Sequence, residues 1–245
     1  MDLNVYSDKV EASKKAAKKG ANLLNRAIEV KGQAVFVLAT GVSQLEFLSH
    51  LVEIDSINWA KTTALHLDEY VGLAPDHRAS FRKYLKDNFF DKVNPATVHT
   101  IKGEEKHPQD ECARLNGIVK DLAIDVAFLG IGENGHIAFN DPPADFETDD
   151  PYIVVELDQM CREQQVGEDW FDSVEDVPKK AISMSVRQIM GVRNIVCTVP
   201  GNRKAEAVKA CLTGEVSPEL PASILLRHDN AHFYLDRESA SLLEK

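Results

Sequence analysis

A histidine-containing loop carries the clearest chemistry in this sequence. Residues 130–142 read Gly-Ile-Gly-Glu-Asn-Gly-His-Ile-Ala-Phe-Asn-Asp-Pro and follow an apolar run, so that His136 stands close to Asn134 and Asp141. Glycines let a backbone turn sharply and approach a ligand, because they lack Cβ. A histidine with polar neighbours can be held in one tautomer and can move protons near neutral pH. This loop is therefore typical of an active site at the end of a strand.

The same loop contains the spacing Gly-x-Gly-x-x-Gly, which dinucleotide-binding proteins use. In those proteins a helix of about three turns begins at the glycines. Here Pro142 and Pro143 fall within the segment that would have to be helical, and a proline removes a donor and clashes inside a helix. The sequence therefore predicts neither nicotinamide nor flavin binding.

Two adjacent carboxylates, Asp68 and Glu69, follow a second apolar run. Burial raises the pKa of a carboxyl group and suits it to act as a general base. Because neighbours on an extended chain point to opposite faces, we expect one of the two to face a ligand. The other would accept hydrogen bonds from loop backbone. Two solvated acids at a strand end would give the same pattern.

Two further loops carry groups that suit an anion. Thr40, Gly41 and Ser43 lie between an apolar run and a helical pattern, where backbone N–H groups and hydroxyls can hold a phosphate. Ser43 could instead only cap the helix. Lys204 follows another apolar run and could reach a phosphate as a point charge, or be an ordinary exposed lysine.

Apolar runs alternate with helical patterns along nearly the whole chain, and these elements must position the loops. The runs that predict buried strands are 34–39, 62–67, 124–129, 194–199 and 231–235, with 152–155 and 181–184 as weaker candidates. The helical patterns cover 8–30, 43–54, 80–89, 108–121, 203–212 and 237–243. This alternation predicts one α/β domain over residues 1–245, with a mostly parallel, doubly wound sheet and helices on both faces.

Residues 142–180, which we call the lid segment, interrupt the alternation. The segment is acidic and contains the apolar pair Trp170 and Phe171. A long insertion after a glycine loop is a candidate for a lid over a ligand. A surface excursion whose aromatic pair docks on the body of the protein explains the pattern equally well.

Composition limits the possible classes of function. The formal net charge of −11 opposes binding to nucleic acid or to an anionic membrane, and no apolar run reaches the length of a membrane helix. The four cysteines lack Cys-x-x-Cys spacing, which favours reduced thiols in a cytoplasmic protein and argues against a zinc site. A phosphorylated substrate remains compatible, because local groups rather than the total charge bind it.

At these residues the chain resembles the glucosamine-6-phosphate deaminase family, also called glucosamine-6-phosphate isomerase. The resemblance is carried by residues 67–73, 130–142, 177–182 and 221–225 and spans nearly the whole chain. It implies a Rossmann-like fold of the deaminase/6-phosphogluconolactonase type. It also implies conversion of glucosamine 6-phosphate to fructose 6-phosphate and ammonium, with no metal or organic cofactor. The expected partner is a small amino-sugar phosphate, and a homo-oligomer is compatible with the sequence.

The resemblance also implies a role for each matching residue. Asp68 would move the C2 proton of the opened sugar to C1, and His136 would open the ring. Asn134 and Asp141 would orient His136. The expected substrate-binding residues are Thr40, Gly41, Ser43, Glu69 and Lys204, of which all but Glu69 would hold the phosphate.

The chain departs from the family pattern at three places. Asp141 stands where the family usually has glutamate, and residues 41–44 read Gly-Val-Ser-Gln rather than Gly-Gly-Thr-Pro. Residues 166–169, Val-Gly-Glu-Asp, lack the lid arginine that many members use for the phosphate. Either Arg162 or Arg203 could substitute for it.

Two other functions remain open at this point. A 6-phosphogluconolactonase-like hydrolase typically has Asp-Glu-Arg, whereas residues 68–70 of this chain read Asp-Glu-Tyr. A non-catalytic sugar-phosphate sensor would carry a helix-turn-helix segment, and we find no length to spare for one.

Overall fold

Ten strands build two sheets in the computed structural model, which describes residues 1–243. The strands are β1 (Asp2–Tyr6), β2 (Ala34–Leu38), β3 (Thr62–His66), β4 (Asp68–Tyr70), β5 (Thr97–His99), β6 (Val126–Leu129), β7 (Tyr152–Glu156), β8 (Lys180–Met184), β9 (Asn194–Val199) and β10 (Ala231–Asp236). Seven of them form a sheet in the order β1-β10-β9-β6-β2-β3-β5, and every neighbouring pair is parallel. The central strands are continuous apolar runs, such as the fully buried Ala-Val-Phe-Val-Leu of β2, because both faces of the sheet are covered.

Within residues 1–243, eight α-helices accompany the sheets. They are α1 (Lys9–Lys31), α2 (Leu45–Val52), α3 (Phe81–Leu85), α4 (Asp91–Val93), α5 (Pro108–Val119), α6 (Gln159–Gly167), α7 (Val186–Met190) and α8 (Ala205–Thr213). A π-helical turn, Lys86–Phe90, joins α3 to α4. The longest helix, α1, begins at Asp8, whose carboxylate accepts the N–H of Glu11 at 2.9 Å, and ends at Gly32, where φ is 81°. No helix within residues 1–243 is long and apolar enough to cross a membrane.

The helices cover both faces of the large sheet. On one face, Phe36 of β2 and Phe128 of β6 pack with buried residues of α1 and α2. On the other face, Val37 and Ala127 from the same two strands pack with buried residues of α5, α7 and α8. Successive residues of a strand point to opposite faces, so these four side chains show directly that the sheet has a core on each side.

The small sheet is antiparallel, in the order β4-β8-β7. The chain leaves the large sheet at the end of β3 and enters the small sheet at Asp68, which pairs with Ser183 of β8. The N–H of Met184 donates to the carbonyl of Leu67, 2.9 Å away, and so fixes this change of sheet. Asp68 therefore lies at the junction of the two sheets.

The predicted mostly parallel α/β fold is confirmed, with several local differences. The helix predicted over 237–243 is wrong, because this stretch forms turns in which the Asp236 carboxylate accepts the N–H of Ser239 at 2.8 Å. The helix predicted over 80–89 is interrupted by the π-helical turn. The short strands β1, β4 and β5 and the helices α4, α6 and α7 were not predicted. The two weaker strand candidates are β7 and β8, and they belong to the separate antiparallel sheet.

Candidate active site

The residues predicted to do chemistry or bind an anion follow four strands that are neighbours in the large sheet. In the order β9-β6-β2-β3, these strands precede Lys204, the His136 loop, the Thr40–Ser43 loop and Asp68 respectively. Because all four strands are parallel, their carboxyl ends meet at one edge, where open α/β sheets bind ligands. The edge contains a cleft of about 520 Å³, counting its open mouth.

Six of the nine predicted site residues line this cleft, namely Thr40, Gly41, Ser43, Asp68, His136 and Lys204. Asn134, Asp141 and Glu69 do not line it. The lid segment contributes three residues that were not predicted, Gln164 and Gln165 from α6 and Glu168 immediately after it.

Asp68 presents a buried carboxyl group to the cleft. Its relative exposure is 6%, and its Oδ1 has no hydrogen-bond partner in the part of the chain that the structure describes. Burial raises the pKa of Asp68 well above its usual value, and the nearby charges of Glu69 and Asp141 raise it further. This carboxylate is a stronger base than a solvated one and has a lone pair free for a ligand.

Glu69 points away from the cleft, which corrects its prediction as a substrate-binding residue. Its Oε2 accepts the hydroxyl of Ser80 at 2.9 Å and the N–H of Arg82 at 2.8 Å. Its Oε1 accepts the N–H groups of Tyr70 and Phe81 at 3.0 and 3.1 Å. The alternation of an extended chain sends one of two adjacent carboxylates to each side. Glu69 is therefore the one that orders the loop leading into α3.

His136 lies against Asp141 on one side and Gly132 on the other. Nδ1 of His136 is 3.0 Å from Oδ1 of Asp141, an ion-pair contact that is not aligned as a straight hydrogen bond. A Cβ added at Gly132 would lie well under 3.0 Å from Cε1, Nε2 and Cδ2 of the imidazole. The ring therefore occupies the space that any side chain at position 132 would need.

Asn134 does not line the cleft, but its side chain joins the histidine loop to Asp141 and Asp158 by hydrogen bonds. Its Nδ2 donates to Oδ1 of Asp141 and to Oδ2 of Asp158, both at 2.9 Å, while its Oδ1 accepts the N–H of His136 at 3.1 Å. Oδ2 of Asp141 accepts the N–H of Asp158 at 2.9 Å. Burial by itself would raise the pKa of Asp141, but His136 and these donors outweigh burial and leave the pKa lowered. Asp141 is therefore held as a carboxylate.

Asp158 contacts the histidine loop, and the sequence analysis missed it. It precedes α6, and its Oδ1 accepts the N–H of Cys161 as the N-cap of that helix. Its other oxygen accepts from Asn134. An aspartate directly before a helical stretch is a signal for an N-cap, but its link to the histidine loop depends on contacts distant in sequence.

The Thr40–Ser43 loop makes a turn that depends on Gly41. There φ is 98°, a left-handed value that residues with Cβ rarely adopt. The carbonyl of Gly41 accepts the hydroxyl of Tyr84 at 2.9 Å, and Gln44 donates its side-chain N–H to the carbonyl of Thr198 on β9 at 3.1 Å. The turn is thus fixed from two sides, with the Thr40 and Ser43 hydroxyls left in the cleft lining.

Lys204 is buried at the opposite side of the histidine loop, with a relative exposure of 6%. Burial lowers its pKa, although Glu168 and Glu133 raise it in part. Neither arginine that the sequence offered for the phosphate lines the cleft. Arg162 donates to the carbonyls of Val174 and Val177, and Arg203 forms an ion pair with Glu133 at 2.8 Å.

The lid segment is docked on the body of the protein. The hydroxyl of Tyr70 donates to Oε1 of Gln165 on α6 at 2.7 Å. Phe171 is buried edge-on against the Tyr70 ring, at a centroid distance of 5.4 Å, and Trp170 lies edge-on to Tyr84 at 6.0 Å. The third residue of the Asp-Glu-Tyr motif therefore connects the strand of Asp68 to α6, which lines the cleft.

One group of potential metal ligands lies within residues 1–243. Donor atoms of His136, Asp141 and Cys161 come within 4.8 Å of one another. Both oxygens of Asp141 already accept N–H groups. Burial raises the pKa of the Cys161 thiol well above its usual value, and the carboxylates of Asp141 and Asp158 raise it further. The Asp141 carboxylate is therefore already bound by protein donors, and the Cys161 thiol keeps its proton.

Comparison with known proteins identifies the family. The family model for glucosamine-6-phosphate isomerases/6-phosphogluconolactonase matches residues 7–234. The chain belongs to this family. The glucosamine-6-phosphate deaminase of Streptococcus pneumoniae (strain Hungary19A-6) is 37% identical over 237 residues, 97% of this chain and 98% of that protein. The glucosamine-6-phosphate deaminase of Thermoanaerobacter sp. (strain X514) is 35% identical over 93% of this chain and 90% of its own length.

Solved structures agree with this family assignment. A monomeric glucosamine-6-phosphate deaminase has a TM-score of 0.91 and 33% identity, covering 99% of this chain and 100% of that protein. The 6-phosphogluconolactonase of Trypanosoma brucei has a TM-score of 0.82 and 16% identity, covering 99% and 98%. The latter likeness shows the common fold alone. The resemblance to the deaminase family inferred from the two central motifs is confirmed.

Proposed function

We propose that this family member converts an amino-sugar phosphate, glucosamine 6-phosphate in the simplest case, into fructose 6-phosphate and ammonium. The observation that carries the proposal is that Asp68, His136 and Lys204 line one cleft. These groups supply a base, a proton carrier and a cation. Relatives with 35% and 37% identity carry the name of this activity.

Asp68 is the base in this proposal. Aldose–ketose isomerisation needs one group that takes the C2 proton and returns it at C1. Oδ1 of Asp68 is free to do so, and the raised pKa of its carboxyl group lets it hold the proton between the two steps. As C1 gains this hydrogen, the C1 oxygen gains a proton and the nitrogen loses one, which leaves a C2 imine. Addition of water and loss of ammonium then give the ketose.

His136 opens the sugar ring in this proposal. Because Asp141 is in contact with Nδ1, Nε2 is the atom left to move a proton between the C1 hydroxyl and the ring oxygen. The lowered pKa of Asp141 keeps a negative charge beside Nδ1 of the imidazole. The shorter side chain of Asp141, compared with the usual glutamate, still reaches the ring in this chain.

The Thr40–Ser43 loop and Lys204 hold the phosphate in this proposal. Strand β6 lies between β2 and β9, so the loop and the lysine approach the histidine loop from opposite sides. A phosphate bound there contributes binding free energy remote from the reacting carbons and holds them near Asp68. The docked lid segment would exclude water from the enolamine intermediate.

An ammonium-release assay tests the activity. The purified protein is incubated with glucosamine 6-phosphate and, separately, with 6-phosphogluconolactone. We expect ammonium and fructose 6-phosphate from the first substrate, loss of both in Asp68→Asn, and retention in Asp121→Asn, which changes an exposed acid beyond α5. Hydrolysis of the lactone without ammonium release would replace the deaminase by the lactonase. Galactosamine 6-phosphate in the same assay determines which hexosamine is preferred.

Limited proteolysis tests whether the lid segment moves. If residues 142–180 open and close over the cleft, sugar phosphate should protect them from cleavage. Equal cleavage with and without the ligand would mean that Trp170 and Phe171 only dock the segment in place. We further propose a cytoplasmic location, which the four free, buried thiols support.

A further inference from the structure

Glu168 brings a carboxylate to the anion-binding end of the cleft. It lines the cleft together with Ser43 and Lys204. Its Oε2 is 3.5 Å from the N–H nitrogen of Val42, and a Cβ added at Gly41 would lie 3.7 Å from the same oxygen. A negatively charged group thus already stands at the turn to which we assign the phosphate.

The contacts that hold this carboxylate are weak enough to be exchanged. Oε1 accepts the side-chain N–H of Gln164 at 2.8 Å, and Oε2 accepts the indole N–H of Trp170 at 3.3 Å. Both donors are neutral, and the bond to Val42 is at the long limit. Within residues 1–243 no cationic nitrogen lies within 4.0 Å of Glu168 as an ion pair. The side chain is also partly exposed, so it can swing into solvent.

The charge of Glu168 affects the pKa values of two groups at the site, Lys204 and Tyr84. Burial lowers the pKa of Lys204, and Glu168 is the strongest of the charges that oppose this effect. Burial also raises the pKa of Tyr84, whose hydroxyl donates to Gly41, and Glu168 raises it further. The charge of Glu168 therefore acts on Lys204, which would meet a phosphate, and on Tyr84, which holds the Gly41 turn.

We propose that Glu168 stands in for the phosphate in the unliganded enzyme and sets the affinity of the cleft for the anionic end of its substrate. This inference rests on the phosphate role proposed above for the Thr40–Ser43 loop and Lys204. A phosphate ester entering the turn meets a like charge, so the carboxylate must withdraw first. Withdrawal of the carboxylate uses part of the free energy of substrate binding. Salt should weaken the repulsion between the carboxylate and the phosphate.

Substitution of Glu168 by glutamine tests the inference. Glutamine keeps the size of the side chain and removes the charge. We expect Glu168→Gln to bind inorganic phosphate about tenfold more tightly than wild type in low-salt calorimetry, because one repulsive unit charge near the site is lost. The KM for glucosamine 6-phosphate should fall with it, and the gain should shrink at about 0.5 M salt. Glu168→Lys should show a gain at least as large.

Glu163→Gln is the matched control, because Glu163 is an exposed acid on α6 that accepts from Gln159 outside the cleft. It should bind phosphate as wild type does. Unchanged or weaker phosphate binding by Glu168→Gln would overturn the inference, as would a failure of both wild type and variant to bind phosphate. The titration needs no turnover. Absence of ammonium release by wild type would therefore count against the proposed activity, separately from the role of Glu168.

Discussion

The substitution Gly132→Ala should displace the imidazole of His136 and change the stability of the fold only slightly. Gly132 does not have a positive φ, so alanine fits its backbone conformation. The new Cβ would, however, lie well under 3.0 Å from three atoms of the His136 ring, whereas ordinary van der Waals contact begins at 3.4 Å. The imidazole must therefore retreat by roughly 1 Å.

The size of the effect follows from this displacement. Misplacing a catalytic group by about 1 Å can cost about 100-fold in rate, which is about 2.7 kcal/mol of activation free energy. The retreat also disturbs the contact between His136 and Asp141, because Asp141 lies on the other side of the ring. A side chain can rotate where a backbone cannot, so the melting temperature should fall by no more than about 4 °C.

Three measurements test this prediction. Steady-state ammonium release gives kcat/KM, calorimetry gives phosphate binding, and thermal unfolding gives the melting temperature. We expect kcat/KM to fall about 100-fold while phosphate binding stays at the wild-type level. Gly117→Ala is the control: a Cβ there meets nothing within 4 Å, and an alanine in the last turn of α5 should stabilise the helix by up to about 0.5–1 kcal/mol. A kcat/KM for Gly132→Ala within twofold of the control would refute the argument that this glycine seats the imidazole.

Four further predictions concern Asp68 and Lys204. Asp68→Asn should abolish turnover but leave phosphate binding intact, and measurable turnover would remove the base from the mechanism. Because burial raises the pKa of Asp68, the folded state holds the carboxyl proton more tightly than the unfolded chain does. Ionisation of Asp68 therefore destabilises the fold above the raised pKa. This destabilisation disappears as the pH falls to about 4. Asp68→Asn should therefore raise the melting temperature more at pH 8 than at pH 4; an equal shift at both would contradict this. The acid limb of kcat/KM should lie above the usual aspartate value of 3.8, and a limb at that value would show a solvated carboxylate. Lys204→Ala should raise KM about tenfold or more through loss of a buried charge-assisted contact, and an unchanged KM would count against its phosphate role.

The strands of the large sheet were predictable where they are buried on both faces. Runs such as 34–39 and 194–199 are continuous and apolar because helices cover them above and below. The strands that were missed lack this signal. β1 is largely exposed, and β5 has only three residues. Their positions are fixed by pairing with β10 and β3, which no local pattern encodes.

The cleft residues at the strand ends were predictable because chemistry-bearing side chains follow the apolar runs. Parallel strands bring such ends to one edge, so the order of the strands matters less than their common direction. Which of the two carboxylates, Asp68 or Glu69, faces the cleft was not predictable from the local pattern of residues. It depends on β4 leaving the large sheet and pairing with β8, which turns one carboxylate to the cleft and the other to the loop before α3.

The amino-acid sequence by itself determined the fold class, the family and the side chains available for proton transfer, because apolar periodicity and the motifs at strand ends are local. Tertiary structure alone decided how those side chains are supported. Asp158 meets Asn134, Tyr70 meets Gln165 and Glu168 reaches the Thr40–Ser43 loop only after the lid segment docks. These contacts join residues 24 to 126 positions apart, so burial and charge at the site arise from packing that no sequence spacing specifies.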